Sequence, residues 1–255
     1  MELNNFYIGF LFFIVGTCFG SFINVLIYRL PIQILQNNKS ISLNTKSSFC
    51  PNCKEKILWF YNIPLLGFIF TKGKCSFCLK KINFSYFLIE LFTGIVFLTN
   101  FLFFKDIQIA IFINIFYIFA IPLIIIDIKY LILPDCLTFC LLILGIFCNY
   151  NGNFSGGLIP SILGAAIAYL IFWSIYKIFL IIRKKEGMGQ GDIKLIAAMG
   201  AWCGYLEILN IITISALIGL FFSLYFKYIK KQEDGKIPFG PFLIVSSILI
   251  LYFKN

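Results

Sequence analysis

The sequence predicts an all-α, polytopic membrane protein with about eight transmembrane helices. Of its 255 residues, 60% are hydrophobic and only 13% are charged, which is about half the charged fraction of a soluble domain. Several apolar runs reach about 20 residues, the length that crosses a bilayer as a helix. Lysine and arginine are concentrated in alternate loops between these runs, which is typical of a multispan topology.

Hydropathy predicts eight spans, at residues 6–30, 84–104, 107–126, 131–150, 158–182, 193–203, 205–226 and 238–253. The first run is too long for the apolar part of a cleavable signal peptide and has no small-residue cleavage site behind it. We therefore expect it to remain as the first span. The sixth run is short and is interrupted by Gly204, so it could be a partial span. The count is seven or eight, and eight is favoured.

The distribution of the 21 basic residues predicts the orientation. With the N-terminus outside, nearly all of them fall in or beside four cytoplasmic segments, at 31–83, 127–130, 183–192 and 227–237. The outer side keeps essentially Lys105 and Lys254. Cytoplasmic loops retain basic residues, so this orientation is favoured. The net charge of +10 is expected to face anionic membrane lipid. Because the charge is not gathered on a compact domain, no nucleic-acid partner is expected.

Histidine is absent from the chain, and this excludes several kinds of active site. There can be no Ser-His-Asp triad, no Cys-His pair and no H-E-x-x-H metal site. Nine cysteines are present. Five of them lie in apolar segments, where cysteine behaves as a small hydrophobic residue, and we expect these to serve packing: Cys18, Cys136, Cys140, Cys148 and Cys203.

The other four cysteines form two C-x-x-C pairs, Cys50/Cys53 and Cys75/Cys78, with 21 residues between the pairs. Paired C-x-x-C motifs at about this spacing form tetrahedral zinc sites. The predicted cytoplasmic location disfavours disulfides. Four thiolates would complete the zinc coordination, so the sequence predicts a structural zinc ion in a cytoplasmic loop that lacks a large core. The alternative is four unliganded thiols.

Two aspartates stand at predicted span ends. Asp127 directly follows an apolar run, and a carboxylate there is costly unless it lines a wet cavity or has a partner. Asp192 follows glycines at 187, 189 and 191, which give the backbone unusual freedom. Simpler interpretations exist: a charge at a helix boundary for Asp127, a helix cap after Pro134 for Asp135, and a capped flexible loop for Asp192.

The predicted topology favours a joint role for Asp127 and Asp192. Both lie at cytoplasmic ends of spans, with two spans between them, so they can meet at one membrane depth. Two facing carboxylates that share a proton are the minimal aspartyl protease, in which one activates water and the other polarises the scissile carbonyl. This chemistry needs no histidine.

These features resemble the type IV prepilin peptidases, a branch of the G-x-G-D intramembrane aspartyl proteases. The segment from Gly20 to Pro31, which includes Asn24 and Arg29, is similar to the N-terminal signature of that family. The two cysteine pairs resemble its cytoplasmic cysteine motif. Further similarities follow along nearly the whole chain, at Asn62 to Leu66, at Tyr86 and Glu90, at Gly187 to Leu195 and at Pro238 to Pro241.

The resemblance implies an aspartyl endopeptidase of the bacterial inner membrane with Asp127 and Asp192 as its catalytic pair. The implied substrates are precursors of type IV pilins and pseudopilins, cut at the cytoplasmic face. Many members also methylate the new N-terminus with S-adenosylmethionine, and this activity is implied by resemblance alone. Asn24, Arg29 and Glu90 would have structural or substrate-positioning roles. The predicted regions are a first transmembrane helix (1–31), a zinc-binding loop domain (32–83) and a catalytic transmembrane domain (84–255).

Two other functional classes are compatible with parts of the pattern. A proton-coupled transporter would use its intramembrane acids to carry protons, and the cysteine loop would sense a metal. It would place charges deep within spans, whereas Asp127 and Asp192 lie at span ends. A non-catalytic assembly factor would bind pilins through the cysteine loop and would not need either aspartate.

Overall fold

A computed structural model of the chain describes residues 2–36, 48–50, 52–150, 152–184, 189–229 and 237–254. Within these ranges the chain is helical, with no strand beyond two isolated bridges in the loop after the first helix. The predicted all-α class is confirmed. Its α-helices are α1 (Glu2–Gln36), α2 (Leu66–Phe70), α3 (Ser85–Phe103), α4 (Ile107–Tyr130), α5 (Asp135–Cys148), α6 (Leu158–Arg183), α7 (Gln190–Cys203), α8 (Ile208–Ile229) and α9 (Gly240–Lys254).

Each of the eight predicted spans coincides with one of these helices, and α2 lies outside them. Five segments are long and apolar enough to cross a membrane: Asn5–Leu35, Ser85–Phe103, Ile107–Tyr130, Leu158–Arg183 and Tyr205–Tyr225. Helices α5 and α9 are apolar but shorter. Helix α7 has 14 residues, about 21 Å at 1.5 Å per residue, whereas the hydrocarbon core is about 30 Å thick. The count of eight spans stays a prediction.

The chain divides into two compact units, Met1–Ile118 and Phe119–Asn255. In the first unit, α1 packs along α3, and glycines permit the close approach. A Cβ added at Gly16 would lie 2.8 Å from the Cβ of Phe97, and one added at Gly94 would lie 2.7 Å from Cγ2 of Thr17. Small residues at such contacts let helix backbones approach within a membrane. The sequence-based division at residues 31 and 83 stays a prediction.

In the second unit, α7 is packed against α5, α6 and α9. Every residue from Leu195 to Cys203 is buried. The contact with α6 is made where Gly164 and Gly200 face each other, because a Cβ on Gly164 would collide with the Gly200 carbonyl oxygen. Helix α7 ends at Cys203, and Gly204 follows with φ +88°, a conformation that favours glycine. The predicted interruption at Gly204 is therefore the end of this helix.

Buried hydrogen bonds hold the far end of α7. The Asn149 side chain donates to the carbonyl oxygens of Ala201 (2.9 Å) and Trp202 (3.1 Å). The hydroxyl of Ser161 donates to Ala201 O at 2.5 Å, and the indole N–H of Trp202 donates to Leu141 O at 2.8 Å. The bonds from Asn149 and Ser161 occupy carbonyl oxygens of the last turn of α7 that have no partner within the helix, and the Trp202 bond ties that turn to α5. The helix that carries Asp192 is therefore anchored at its opposite end.

Candidate active site and metal centre

Asp127 lies in the last turn of α4 and is only 5% exposed. Its Oδ2 accepts a hydrogen bond from the backbone N–H of Gly240, the first residue of α9, at 3.0 Å. Helix α4 stops just beyond it, because Leu131 adopts φ +55° and donates its N–H to Asp127 O at 2.9 Å. This left-handed ending is a common way to terminate a helix. The carboxyl group thus has a fixed partner that joins two helices of the second unit.

Asp192 lies in the first turn of α7, half-buried, with its backbone N–H bonded to Gly189 O at 3.1 Å. The N-cap of α7 is Gly189, so Asp192 is not the cap that the simpler interpretation expected. A helix N-terminus favours a negative charge in this position. Gly191, beside Asp192, and Gly240, whose N–H bonds Asp127, both pack against Leu133. Asp127 and Asp192 therefore lie in the same part of the second unit.

Close backbone approaches surround this site. A Cβ added at Gly240 would lie 2.6 Å from Oδ2 of Asp127, and one added at Gly191 would lie 2.9 Å from the Cβ of Leu133. Neither Gly189 nor Gly191 has a positive φ. The structure therefore does not use the conformational freedom that we expected of these two glycines. At Gly191 glycine provides space for Leu133. Gly187, the first glycine of that motif, is outside the described residues.

The structure does not support one of the simpler interpretations, in which Asp135 caps the helix after Pro134. Pro134 is the N-cap of α5, and Asp135 lies inside the first turn. Its two carboxylate oxygens each lie 2.7 Å from Nζ of Lys194. Lys194 follows Asp192 by two residues, and this ion pair therefore ties the first turn of α7 to the first turn of α5. The charge pattern of the sequence offered no means of pairing residues 59 positions apart.

The four predicted metal ligands come together in the first unit. The described loop residues between α1 and α3, 48–50 and 52–83, are called the cysteine loop below. Its sulfur atoms all lie within 4.8 Å of one another, with the Cys50–Cys78 and Cys53–Cys75 pairs at 3.9 Å. A tetrahedral site with zinc–sulfur bonds of about 2.3 Å needs sulfur separations of about 3.8 Å. The cluster can bind a metal ion.

The two cysteine pairs are held by matching turns. In the first, Cys50 N–H bonds Glu55 O at 2.9 Å and Lys54 N–H bonds Cys50 O at 2.8 Å. In the second, Cys75 N–H bonds Lys80 O at 2.9 Å and Leu79 N–H bonds Cys75 O at 3.0 Å. Lys54 and Leu79 both have a positive φ, 60° and 57°. The same backbone turn therefore presents each pair of sulfur atoms.

Hydrogen bonds and burial give two of these thiols, Cys78 and Cys53, different pKa values. The backbone N–H of Lys80 and the side chain of Asn52 lower the pKa of Cys78 to about 6. At Cys53 the hydrogen bond from Glu55 acts in the same direction, but burial and the neighbouring sulfur atoms raise its pKa to about 12. Thiols this close titrate as a group.

Three further residues of the resemblance lie in the first unit. Asn24 is buried in α1 and donates to Tyr86 O at 3.0 Å. Glu90 in α3 accepts the backbone N–H of Leu65 at 2.8 Å. Leu65 has φ +60° and precedes α2, so Glu90 holds a turn that few residues adopt unaided. Arg29 is buried with its guanidinium 5.8 Å from the ring centre of Phe49.

Comparison with known proteins covers both units. Residues 14–104 match the bacterial peptidase A24 N-terminal domain, and residues 114–224 match the type IV leader peptidase family. A protein from Legionella pneumophila is 34% identical over an alignment 270 positions long. The alignment covers 98% of this chain and 93% of that protein.

The chain belongs to the type IV leader peptidase family. Two more relatives agree: one from Pectobacterium carotovorum is 34% identical, over 92% of this chain and 89% of its own length, and one from Klebsiella pneumoniae is 39% identical, over 77% and 86%. All three are named prepilin leader peptidase/N-methyltransferase. No solved structure matches the chain.

The resemblance stated from the sequence is thus confirmed, and with it an enzyme of the peptidase class. This leader peptidase is a multi-pass membrane protein, as its long apolar helices and its family agree. The matched region 114–224 contains both Asp127 and Asp192, and the matched region 14–104 contains the four cysteines together with Glu90.

Proposed function

We propose that this leader peptidase is an aspartyl endopeptidase that removes the leader from type IV prepilins and pseudopilins. The observation that supports the proposal is that Asp127 and Asp192, carboxyl groups from different helices, lie in the same part of the second unit, where Gly240 and Gly191 both pack against Leu133. Two carboxyl groups that face each other would share a proton, because both cannot ionise easily. In a chain without histidine, this pair is the group best suited to peptide hydrolysis.

The proposed reaction uses the two groups in complementary states. The ionised carboxylate takes a proton from a water molecule, whose oxygen bonds to the scissile carbonyl carbon, while the protonated carboxyl group donates its proton to the carbonyl oxygen. The carbon–nitrogen bond then breaks, and the departing nitrogen receives a proton to become the new N-terminus. The Gly240 N–H, bonded to Oδ2 of Asp127, fixes the orientation of that carboxyl group.

The location is also part of the proposal. We infer that the protein lies in the bacterial inner membrane with its N-terminus outside and with Asp127, Asp192 and the cysteine loop at the cytoplasmic face. This orientation places nearly all basic residues on the cytoplasmic side. Anionic lipid headgroups would contact them there.

Two cofactors complete the proposal. The sulfur separations of 3.9 Å suit a tetrahedral zinc ion held by Cys50, Cys53, Cys75 and Cys78. Four protein ligands leave no open position, so the ion would stabilise the cysteine loop. We also propose N-methylation of the new N-terminus, as the names of the relatives suggest. When bound, S-adenosylmethionine would supply the methyl group for the new amine.

The test is cleavage of a prepilin precursor by membranes that contain wild-type protein, Asp127→Asn or Asp192→Asn. Loss of a general acid or base costs about 10² to 10⁴-fold in rate, so either variant should leave the precursor nearly uncut while the protein still accumulates. Asp106→Asn is the matched control, because Asp106 is exposed and outside the site. Product masses report cleavage, and wild-type cleavage by Asp127→Asn or Asp192→Asn rejects the pair.

A further inference from the structure

The cysteine loop carries four large apolar side chains on its surface, called the apolar patch below. Trp59, in a 3-10 helix, is 78% exposed, and Leu66, Ile69 and Phe70 of α2 are 46%, 56% and 64% exposed. Positions 66, 69 and 70 share one side of α2, because residues three and four apart are neighbours on a helix. A helix side that faces water is normally polar, so an exposed group of this kind marks a contact with another protein or with a membrane.

The opposite side of α2 is packed against the first unit. Gly67 is buried, and a Cβ added there would collide with the carbonyl oxygen of Tyr61. The centre of the Phe68 ring lies 5.8 Å from that of Phe84 and 5.4 Å from that of Phe87. These contacts hold α2 in one orientation, and the apolar patch is therefore directed away from the protein.

A hydrogen bond sets the position of α2 along the neighbouring span. Helix α3 begins at Ser85 and is long and apolar enough to cross a membrane. Glu90 lies five residues after that start, about 7.5 Å along the helix at 1.5 Å per residue. Its carboxylate accepts the backbone N–H of Leu65 at 2.8 Å. The start of α2 therefore lies beside the second turn of α3, and not beyond its end.

The surroundings of the apolar patch suit a membrane surface. Phe84, Leu88 and Phe92 are exposed at intervals of four residues, so they form one row along the first turns of α3. Phe84 also contacts Phe68, and this row therefore continues to α2. In its described part the cysteine loop has one acidic residue, Glu55, and six lysines, all of them exposed. Those lysines are Lys54, Lys56, Lys72, Lys74, Lys80 and Lys81.

We propose that the apolar patch inserts into the lipid headgroup region beside α3 and anchors the cysteine loop to the membrane. Trp59 would lie at the membrane–water interface, where tryptophan is enriched. The side chains from α2 would contact acyl chains, and the lysines would contact anionic headgroups. A water-soluble partner protein is disfavoured, because α2 lies beside the second turn of a span. The proposal does not depend on the proposed cleavage reaction.

Tryptophan fluorescence of the full chain in proteoliposomes tests this placement. The chain has three tryptophans. Trp173→Phe removes the other exposed one, and Trp202 is fully buried. Subtracting the signal of Trp59→Phe/Trp173→Phe from that of Trp173→Phe leaves the signal of Trp59. Lipids brominated on their acyl chains quench tryptophan within the membrane, and iodide quenches it in water. We expect brominated lipid to quench most of the Trp59 signal and iodide to quench little of it.

The matched control is Glu55→Trp in the variant that lacks Trp59 and Trp173. Glu55 is exposed beside the first cysteine pair and is not part of the apolar patch. Its tryptophan should show the reverse pattern, with iodide quenching at least fivefold stronger than at Trp59. Ile69→Glu/Phe70→Glu should shift Trp59 toward iodide quenching, because carboxylates are costly in lipid. An unchanged pattern in that variant would overturn the role of α2 in the anchor.

Two results with the unaltered patch would overturn the proposal. Quenching of Trp59 by iodide but not by brominated lipid would place the apolar patch in water. Protection from both quenchers would indicate that protein covers it, for example a second copy of the chain. Neither result would affect cleavage that depends on Asp127 and Asp192.

Discussion

Gly240 illustrates how a single missing side chain can position a carboxyl group. Its backbone N–H reaches Oδ2 of Asp127 at 3.0 Å, and there is no room for a Cβ between them. The same absent Cβ would lie 3.3 Å from Cδ2 of Leu133, the residue that also packs against Gly191. The first turn of α9, the end of α4 and the start of α7 therefore meet through small or backbone atoms.

Replacing Gly240 with alanine should sharply reduce cleavage. The added methyl group would lie 2.6 Å from Oδ2 of Asp127 and must displace it. Overpacking costs about 1–3 kcal/mol of stability, so the protein should still fold. Because displacement of the carboxyl group misplaces it for the reaction, we expect at least about a tenfold loss of cleavage rate. Gly219→Ala is the control, because its Cβ would meet only the edge of Phe242 at 3.2 Å. Equal rates for the two variants would contradict the positioning role of Gly240.

Helix α7 is fixed at both ends, and different kinds of contact hold each end. The far end is held by buried hydrogen bonds from Asn149 and Ser161. The near end is held to α5 by Lys194 and Asp135, whose side chains are 32% and 58% exposed. An ion pair this accessible stabilises a fold by about 0–1 kcal/mol. The ion pair matters because of its position, since Lys194 is only two residues from Asp192.

Breaking the Lys194–Asp135 ion pair should affect catalysis more than stability. For Asp135→Asn we expect a melting temperature within a few degrees of wild type, because the pair is solvent-exposed, and a cleavage rate several-fold lower, because the first turn of α7 loses its tie to α5. The exchanged pair, Asp135→Lys with Lys194→Asp, should recover most of the rate. No recovery would indicate that Lys194 acts other than through Asp135.

Metal removal should loosen the cysteine loop and leave the helices intact. Apart from one 3-10 helix and α2, the loop is held by turns and two isolated bridges, so the metal would supply much of its stability. We expect about one zinc per chain by mass spectrometry, lost in Cys50→Ser/Cys53→Ser but kept in Cys136→Ser/Cys140→Ser. Trypsin should then cut the first variant at the loop lysines. Zinc content unaffected by the first substitution would refute this.

The sequence predicted the helices well because the length of an apolar run is a local property. All eight predicted spans coincide with helices, and Gly204 marks the end of α7. What the sequence did not predict depends on partners distant along the chain. Gly240 and Asp127 are 113 positions apart, and Asp135 and Lys194 are 59 apart. A local sequence pattern cannot predict contacts between residues so far apart. The predicted topology indicated only which helix ends could lie near each other.

Span parity led the sequence to predict that Asp127 and Asp192 lie at one face of the membrane, and this stays a prediction. The glycines before Asp192 were harder to interpret. Their positions in the sequence do not tell whether glycine is required for a positive φ or for its small size. Gly191 supplies space for Leu133, which only the packing of the second unit reveals.

The orientation of the whole chain can be tested by cysteine labelling in spheroplasts. Lys105 and Lys81 are both exposed, and the distribution of basic residues puts them on opposite sides. A membrane-impermeant maleimide should add label to Lys105→Cys in intact spheroplasts and to Lys81→Cys only after permeabilisation, each compared with wild type. The reverse pattern would invert the proposed orientation.

The shortness of α7 has a consequence for how water reaches Asp192. The helix is about 21 Å long, some 9 Å less than the thickness of the hydrocarbon core of a bilayer. Its residues from Leu195 to Cys203 are buried within the protein. If it crosses the membrane, at least one of its ends stops below the lipid headgroups. If that end is the one that carries Asp192, water and the peptide bond of a substrate would have to enter a cavity below the headgroups to reach its carboxyl group.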